Sequence, residues 1–324
     1  MTGQAGRSGS NAVLSVLLGS ALFGTSGVAR TLGPGEVDAA AVGAARVLIG
    51  GLCLVAFALA RRKRFAAARS LPWTTVLLGA SVAVYQSCYF SGIGRVGVSM
   101  GSIITVAVVP VATGVVAFLL RGERPGRRWY AATALAIVGT VAASGAIGDG
   151  RSDAIGIALC LTAGTSVAFY TVLSRRLLDA GAEVTEVTTV AVALSGVLLL
   201  PVLAFGGAGW LTTPSGLLMG LYLGAVTSAL GFWLNARGLR RVSPTAVATL
   251  NLAEPVTAVV LAFVIVHERP TWVQWGGAFV VCLGLVVLAA GRPGQETRVV
   301  ARGGPAGGPA PTASVDEFDK QNIS

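Results

Sequence analysis

Charge is scarce in this chain. Only 12% of its 324 residues are Asp, Glu, Lys or Arg, about half the share usual in a soluble domain, and there is one histidine. A lone histidine excludes paired-histidine metal motifs, and the four cysteines (Cys53, Cys88, Cys160, Cys282) have no metal-ligand spacing. They read as small buried hydrophobes. Neither paired aspartates nor a His-Glu-x-x-His run offers a hydrolytic centre, and no Gly-rich loop ending in Lys-Ser or Lys-Thr offers a nucleotide cradle. No metal and no cofactor is expected, and ATP-driven pumping is argued against.

Apolar residues fill the space that charge leaves. They make up 54% of the chain, and the mean hydropathy is +0.75. A membrane-spanning helix needs about 20 such residues. Apolar runs between charged or Pro/Gly breaks predict ten helices, at about 11–29, 38–60, 72–93, 97–120, 128–147, 153–174, 185–205, 215–236, 244–266 and 271–291. The expected class is an all-α integral membrane protein of ten transmembrane helices. Residues 1–10 read as a short cytoplasmic segment, and the Gly/Pro/Ala/Ser-rich 292–324 as a disordered cytoplasmic tail.

The net charge of +10 rests on basic residues clustered in short loops. That distribution suits topology and anionic lipid; no basic groove or aromatic platform suggests nucleic acid. With a cytoplasmic N-terminus, 19 of the 24 Lys and Arg fall on the cytoplasmic side, four fall outside, and Arg46 lies within a span. Both termini are therefore expected in the cytoplasm, with the protein in the cell membrane.

The chain also repeats itself. Pro110-Val-Ala-Thr-Gly-Val-Val-Ala-Phe, followed by Gly122-Glu123-Arg124-Pro125, matches Pro255-Val-Thr-Ala-Val-Val-Leu-Ala-Phe, followed by His267-Glu268-Arg269-Pro270. The shift is 145 residues, and Gly139 and Gly284 keep it. Two five-helix units follow, 11–148 and 149–291. An odd helix count inverts the second copy, a construction typical of secondary transporters with a midplane site between the halves.

The same segments, with Ala45-Arg46-Val47-Leu48-Ile49 in the second helix and the basic run from Arg61 to Arg64, resemble the drug/metabolite transporter superfamily, EamA type. The resemblance covers about residues 11–291. It implies export or exchange of a small organic metabolite, such as an amino acid or an amphipathic compound, by alternating access. Protons are a candidate coupling ion.

Two ionisable groups lie within spans, where each is costly unless paired or hydrated. Glu254 sits midway along the ninth helix, sharing a helix face with Asn251 three residues before it and just ahead of Pro255, which frees a carbonyl, so Asn251 and Glu254 are candidate substrate-binding residues. Its counterpart in the first repeat is Val109, so the scaffold does not demand a carboxylate there. Arg46 could attract a substrate carboxylate or pair with Glu254; it could equally snorkel outward as structure. Tyr85 and Gln86 are candidates for a cavity lining, as are Tyr170 and Trp233 beside Tyr89, Phe169 and Asn235, although Tyr and Trp also serve as interfacial anchors. Pro110 and Pro255 are candidate gating kinks, while Glu123 and Glu268 read as turn structure at helix ends.

Gly216, Gly220 and Gly224, and the pair Gly97/Gly101, permit close packing within the chain, with a homodimer interface as the other use. Other classes remain to be weighed. A channel or a non-transporting membrane partner would need no coupling site. Gly24-Thr25-Ser26-Gly27 matches the Gly-x-Ser-Gly signature of rhomboid intramembrane proteases, but the one histidine, His267, lies at the outer end of the ninth helix.

Overall fold

The computed structural model of the protein describes residues 2–35, 37–63, 65–96, 98–143, 153–265, 267, 271–289 and 297–299. In chain order these form α1 (Thr2–Thr31), α2 (Ala39–Ala60), the short α3 (Ala66–Ser70), α4 (Pro72–Val96) and α5 (Val98–Arg121). After strand β1 (Glu123–Pro125) come α6 (Arg127–Ala143), α7 (Ala154–Asp179), α8 (Val184–Leu198) and α9 (Leu200–Gly206). Then follow α10 (Pro214–Leu221), α11 (Gly231–Leu239), α12 (Pro244–Leu250), α13 (Ala253–Ile265), α14 (Trp272–Ala289) and strand β2 (Thr297–Val299). Between α10 and α11 the helix continues as a π-helical stretch, Tyr222–Leu230.

Helix starts follow the sequence signals for capping. The Asp38 carboxylate accepts from the Ala41 amide at 2.8 Å, and Asp153 from Gly156 at 3.0 Å. Thr213 and Ser243 cap α10 and α12, each with Pro at the first helical position, where no N–H is needed. Helix α8 passes into α9 through a bend of 45°, with Pro201 in the first turn of α9.

Among the described residues, seven helical runs are long and apolar enough to cross a membrane, or eight if bent α8–α9 counts as one span. Helix α6 has 17 residues and opens on Arg127-Arg128, and the apolar run of α14 is Trp275–Leu288. The predicted extensions of both helices, 144–147 and 290–291, lie outside the described residues, as do Glu268, Arg64 and Gly97. The expected tail 292–324 is described only at Thr297–Val299, which pairs antiparallel with Glu123–Pro125.

The helices contact one another in a recurring pattern. Helix α7 lies against α4 and α5, α1 lies against α11 and α13, and α2 pairs with α8 as α6 does with α14. Lipid tails are as apolar as leucine, so helices in a bilayer gain by close backbone approach at small residues. A Cβ on Gly139 of α6 would lie 2.6 Å from the Val281 amide of α14, and one on Gly284 of α14 would lie 2.9 Å from the Ala132 carbonyl of α6. Gly224 seats Ile49 of α2 closely, and a Cβ on Gly220 would lie 2.7 Å from the Leu211 side chain, so these glycines serve packing within the chain.

A methyl group at Gly139 or Gly284 has no space without separating α6 from α14, whereas Gly276 on α14 has nothing within 4 Å of its Cβ position. Gly139→Ala and Gly284→Ala should each destabilise the protein by about 1–3 kcal/mol. Gly276→Ala should be neutral. Thermal unfolding midpoints in detergent check this; equal midpoints for all three would show that the α6–α14 contact is looser than described.

Candidate functional site

The ninth predicted helix is not continuous. Helix α12 ends at Leu250, Asn251 and Leu252 form a turn, and α13 begins at Ala253. The cause is local. Pro255 has no N–H to give the Asn251 carbonyl, which instead accepts from the Glu254 amide at 3.0 Å, while the Leu252 amide donates to Thr249 at 3.0 Å. Asn251 thus caps α12 and Glu254 opens α13, so they flank a break where one shared helix face was expected. In α5, Pro110 lies inside an unbroken helix, so the two repeat-related prolines act differently.

Side chains stabilise the break. Asn235 of α11 and Asn251 exchange two amide hydrogen bonds, at 3.0 and 3.2 Å, and Ser20 of α1 donates to the Asn251 Oδ1 at 2.7 Å. Gly24 lets α1 approach α13 directly: its Cβ would lie 2.7 Å from the Glu254 carbonyl. The glycine of the Gly-Thr-Ser-Gly run therefore has a packing role. Glu254, the eleventh residue of the 22-residue run Pro244–Ile265, is half-buried, and among the described residues its carboxylate has neither a hydrogen-bond nor an ion-pair partner.

Arg46 approaches from α2. It too is half-buried, and its Nε donates to the Ser228 hydroxyl at 3.3 Å, on the π-helical stretch. Gly50 allows that contact, because a Cβ there would meet the Gly224 carbonyl and the Ser228 Cβ at 2.8 Å. Arg46 is within electrostatic range of Glu254 without forming an ion pair, and Tyr85 and Tyr89 of α4 lie within the same range of both. The two tyrosines stack at 5.7 Å between ring centroids, and the Tyr89 hydroxyl bonds Ser102 of α5 at 2.8 Å. A cation, a carboxylate, phenols and hydroxyls from α2, α4, α5, α13 and the π-helical stretch thus gather in the protein interior. Such a set can hold a small solute carrying both charge signs and an apolar or aromatic part.

The other predicted residues lie apart from this set. Gln86 is buried and donates to the Gly43 carbonyl of α2 at 2.9 Å, which ties α4 to α2. Tyr170 packs edge-to-face on Phe232 at 5.3 Å within an apolar cluster. The Trp233 indole donates to Thr185 at 3.4 Å and carries Arg237 over its ring at 5.4 Å. Glu123 is buried and paired with Arg121, which also reaches Asp179 at 2.7 Å.

Sequence reasoning missed Ser20, Ser102 and Ser228, since a serine within an apolar run carries no pattern of its own. It also passed over Glu186, a buried carboxylate that accepts from the Ala68 amide at 2.7 Å and anchors α3 on α8. A carboxylate among Val and Thr residues at the start of the predicted seventh helix was the available signal.

Comparison with known proteins identifies the family. The model of the EamA-like transporter family matches twice, at residues 10–145 and 154–290. The uncharacterized transporter YwfM of Bacillus subtilis (strain 168) is 31% identical over 285 residues, covering 88% of this chain and 95% of that protein. The uncharacterized transporter YdeK of the same organism is 27% identical over 267 residues, covering 81% and 91%. A crystal structure at 22% identity shares the fold with a TM-score of 0.74, over 86% of this chain and 96% of the other. The chain is a multi-pass membrane protein and a transporter rather than an enzyme, and it belongs to the EamA-like transporter family.

Proposed function

We propose that the protein is a secondary carrier of ten transmembrane helices, built as two inverted five-helix repeats in the cell membrane with both termini cytoplasmic. It exports or exchanges a small organic metabolite, an amino acid or a similar amphipathic compound, by alternating access. The observation that carries this reading is the broken span itself: Glu254, whose carboxylate has no hydrogen-bond or ion-pair partner among the described residues, opens a half-helix at mid-span within range of Arg46 on α2. Discontinuous helices at the meeting of two repeats are where secondary transporters bind their cargo. The recurring contacts support the repeats, because exchanging each helix with its partner five spans on turns α4–α7 into α11–α1 and α5–α7 into α13–α1. The doubled family match supports the same division.

In this reading Arg46 takes the anionic end of the substrate, and Tyr85 and Tyr89 flank its apolar part. Glu254 binds either a proton or the cationic end of the substrate, so that the two compete. The turn at Asn251–Leu252 allows α12 and α13 to tilt separately, opening one end while the other closes. Gln86, Tyr170 and Trp233 hold helices around this centre. A membrane channel is disfavoured by the mixed charges gathered at one interior point, since conduction uses repeated rings of like groups.

The charge count makes one outcome specific. In a cysteine-free background, a single cysteine at Thr212, which is exposed in the loop before α10, should react with an impermeant maleimide on intact cells. One at Arg61 should react only after permeabilisation. The opposite pattern would reverse the orientation.

If Arg46 and Glu254 act together on one solute, Arg46→Ala and Glu254→Gln should each reduce uptake into inverted vesicles. The double variant should lose less than both losses combined, with a coupling of about 0.5–3 kcal/mol. Strictly additive losses at equal membrane abundance would separate the two residues.

Proton coupling has its own test in proteoliposomes loaded with candidate amino acids. Wild-type protein should concentrate its substrate when a pH gradient is imposed. Glu254→Gln, which imitates the protonated side chain, should lose that response yet retain substrate–substrate exchange, which moves no net proton. Gradient-driven accumulation by the Gln variant would remove Glu254 from the coupling step.

A further inference from the structure

A second feature lies apart from the residues of the interior centre, on the exposed side of α5 and α6. These helices leave between them an open groove of about 690 Å³. Its floor is made where Gly114 meets the Trp129 ring, 3.1 Å from where a Cβ would stand. Its walls are apolar and turned outward: Val115 is 53% exposed, Leu119 60% and Tyr130 59%. From Val111 to Leu119 the groove follows α5 for roughly 12 Å at the helical rise, close to the ~15 Å hydrocarbon depth of one leaflet.

One end of the groove is basic. Arg124 is part of the lining, its guanidinium held 5.3 Å from the centre of the Phe118 ring. Arg127 and Arg128 follow in the first turn of α6, and all three are exposed. None of them is in an ion pair among the described residues. The neighbouring carboxylate, Glu123, is buried and engaged by Arg121. An apolar trough of one-leaflet depth, ending in uncompensated guanidiniums, is complementary to an amphiphile with an anionic head and a long chain.

We infer that this groove is a binding site for one anionic phospholipid, with an acyl chain along Val115, Leu119 and Tyr130 and the phosphate between Arg124, Arg127 and Arg128. Basic pockets at helix ends are a recurrent way for membrane proteins to select anionic headgroups. A zwitterionic lipid would fit the trough but leave the arginines without a net counter-charge. The inference rests on the protein's being membrane-embedded, and it is separate from the interior centre, since Arg46, Tyr85, Tyr89, Ser102 and Glu254 are not among the residues that line the groove.

The test is native mass spectrometry of the purified full chain, offered equal amounts of phosphatidylglycerol and phosphatidylcholine with identical acyl chains. Wild-type protein should retain one phosphatidylglycerol in clear preference. That preference should fall about fivefold for each arginine replaced in Arg124→Ala, Arg127→Ala and Arg128→Ala, as expected for a basic group near an anionic head. Lysine replacements should largely keep it. Val115→Trp, which fills the trough without changing a charge, should reduce retention of both lipids.

Equal retention of the two lipids by wild-type protein would overturn the inference without any variant. So would undiminished phosphatidylglycerol binding in Val115→Trp, or equal displacement by glycerol phosphate, which has no chain to occupy the groove. A disulfide cross-link between two copies through cysteines placed at Leu119 would assign the groove to a second copy instead, and would equally overturn it.

Discussion

The constraint on which the centre of this protein depends is that a backbone group inside a bilayer must find its partner within the protein. Pro255 cannot donate to the Asn251 carbonyl, and no water is available in hydrocarbon to replace it. The chain resolves this by tightening one turn, so that the Glu254 amide serves that carbonyl, and by ending α12 there. The break then needs a partner for its own polar side chain, and the Ser20–Asn251–Asn235 set supplies it from α1 and α11. A missing hydrogen in one residue thereby positions three helices around a carboxylate that would otherwise lie on an ordinary helix face.

Close packing transmits that arrangement outward. Gly24 brings α1 against the first turn of α13, and Gly50 brings α2 against the π-helical stretch, so Arg46 can reach Ser228. An extra residue per turn in a π-helix shifts the face that its side chains present, and such stretches are frequent at functional sites. At the ends of the helices, charge takes over from packing. Arg175 reaches the Leu239 and Val242 carbonyls at 2.7 and 3.1 Å while holding Asp179, which Arg121 also holds. One pair of arginines thus joins the ends of α5, α7 and α11, where the carbonyls of a finished helix have no partner of their own.

Much of this was legible in the residues alone. Hydropathy located the long helical runs, because a bilayer asks about 20 apolar residues of each span. The 145-residue repeat marked the two units that the family model matches separately, and Glu254 and Arg46 stood out because a charge within a span is costly. Periodicity could not reveal that Asn251 and Glu254 lie on either side of a break. Pro110 and Pro255 occupy matching positions in the repeat, yet only the second is accompanied by a break in the helix, and that difference lies in the surrounding contacts.

Composition and pattern therefore determined, by themselves, that the chain is a membrane protein and which charges fall within its apolar runs, since solvation in hydrocarbon acts on each residue independently of its neighbours, while the repeat and the family resemblance pointed to transport. Tertiary structure decided which candidates meet. It brought Arg46, Tyr85 and Glu254 within range of one another, gave Gln86 to the Gly43 carbonyl and Tyr170 to Phe232, and recruited Ser20, Ser102 and Ser228. The reason is physical. A hydrogen bond between helices 182 or 231 residues apart depends on crossing angles and on glycine-permitted approach, and neither is encoded at the position of the residue that makes the bond.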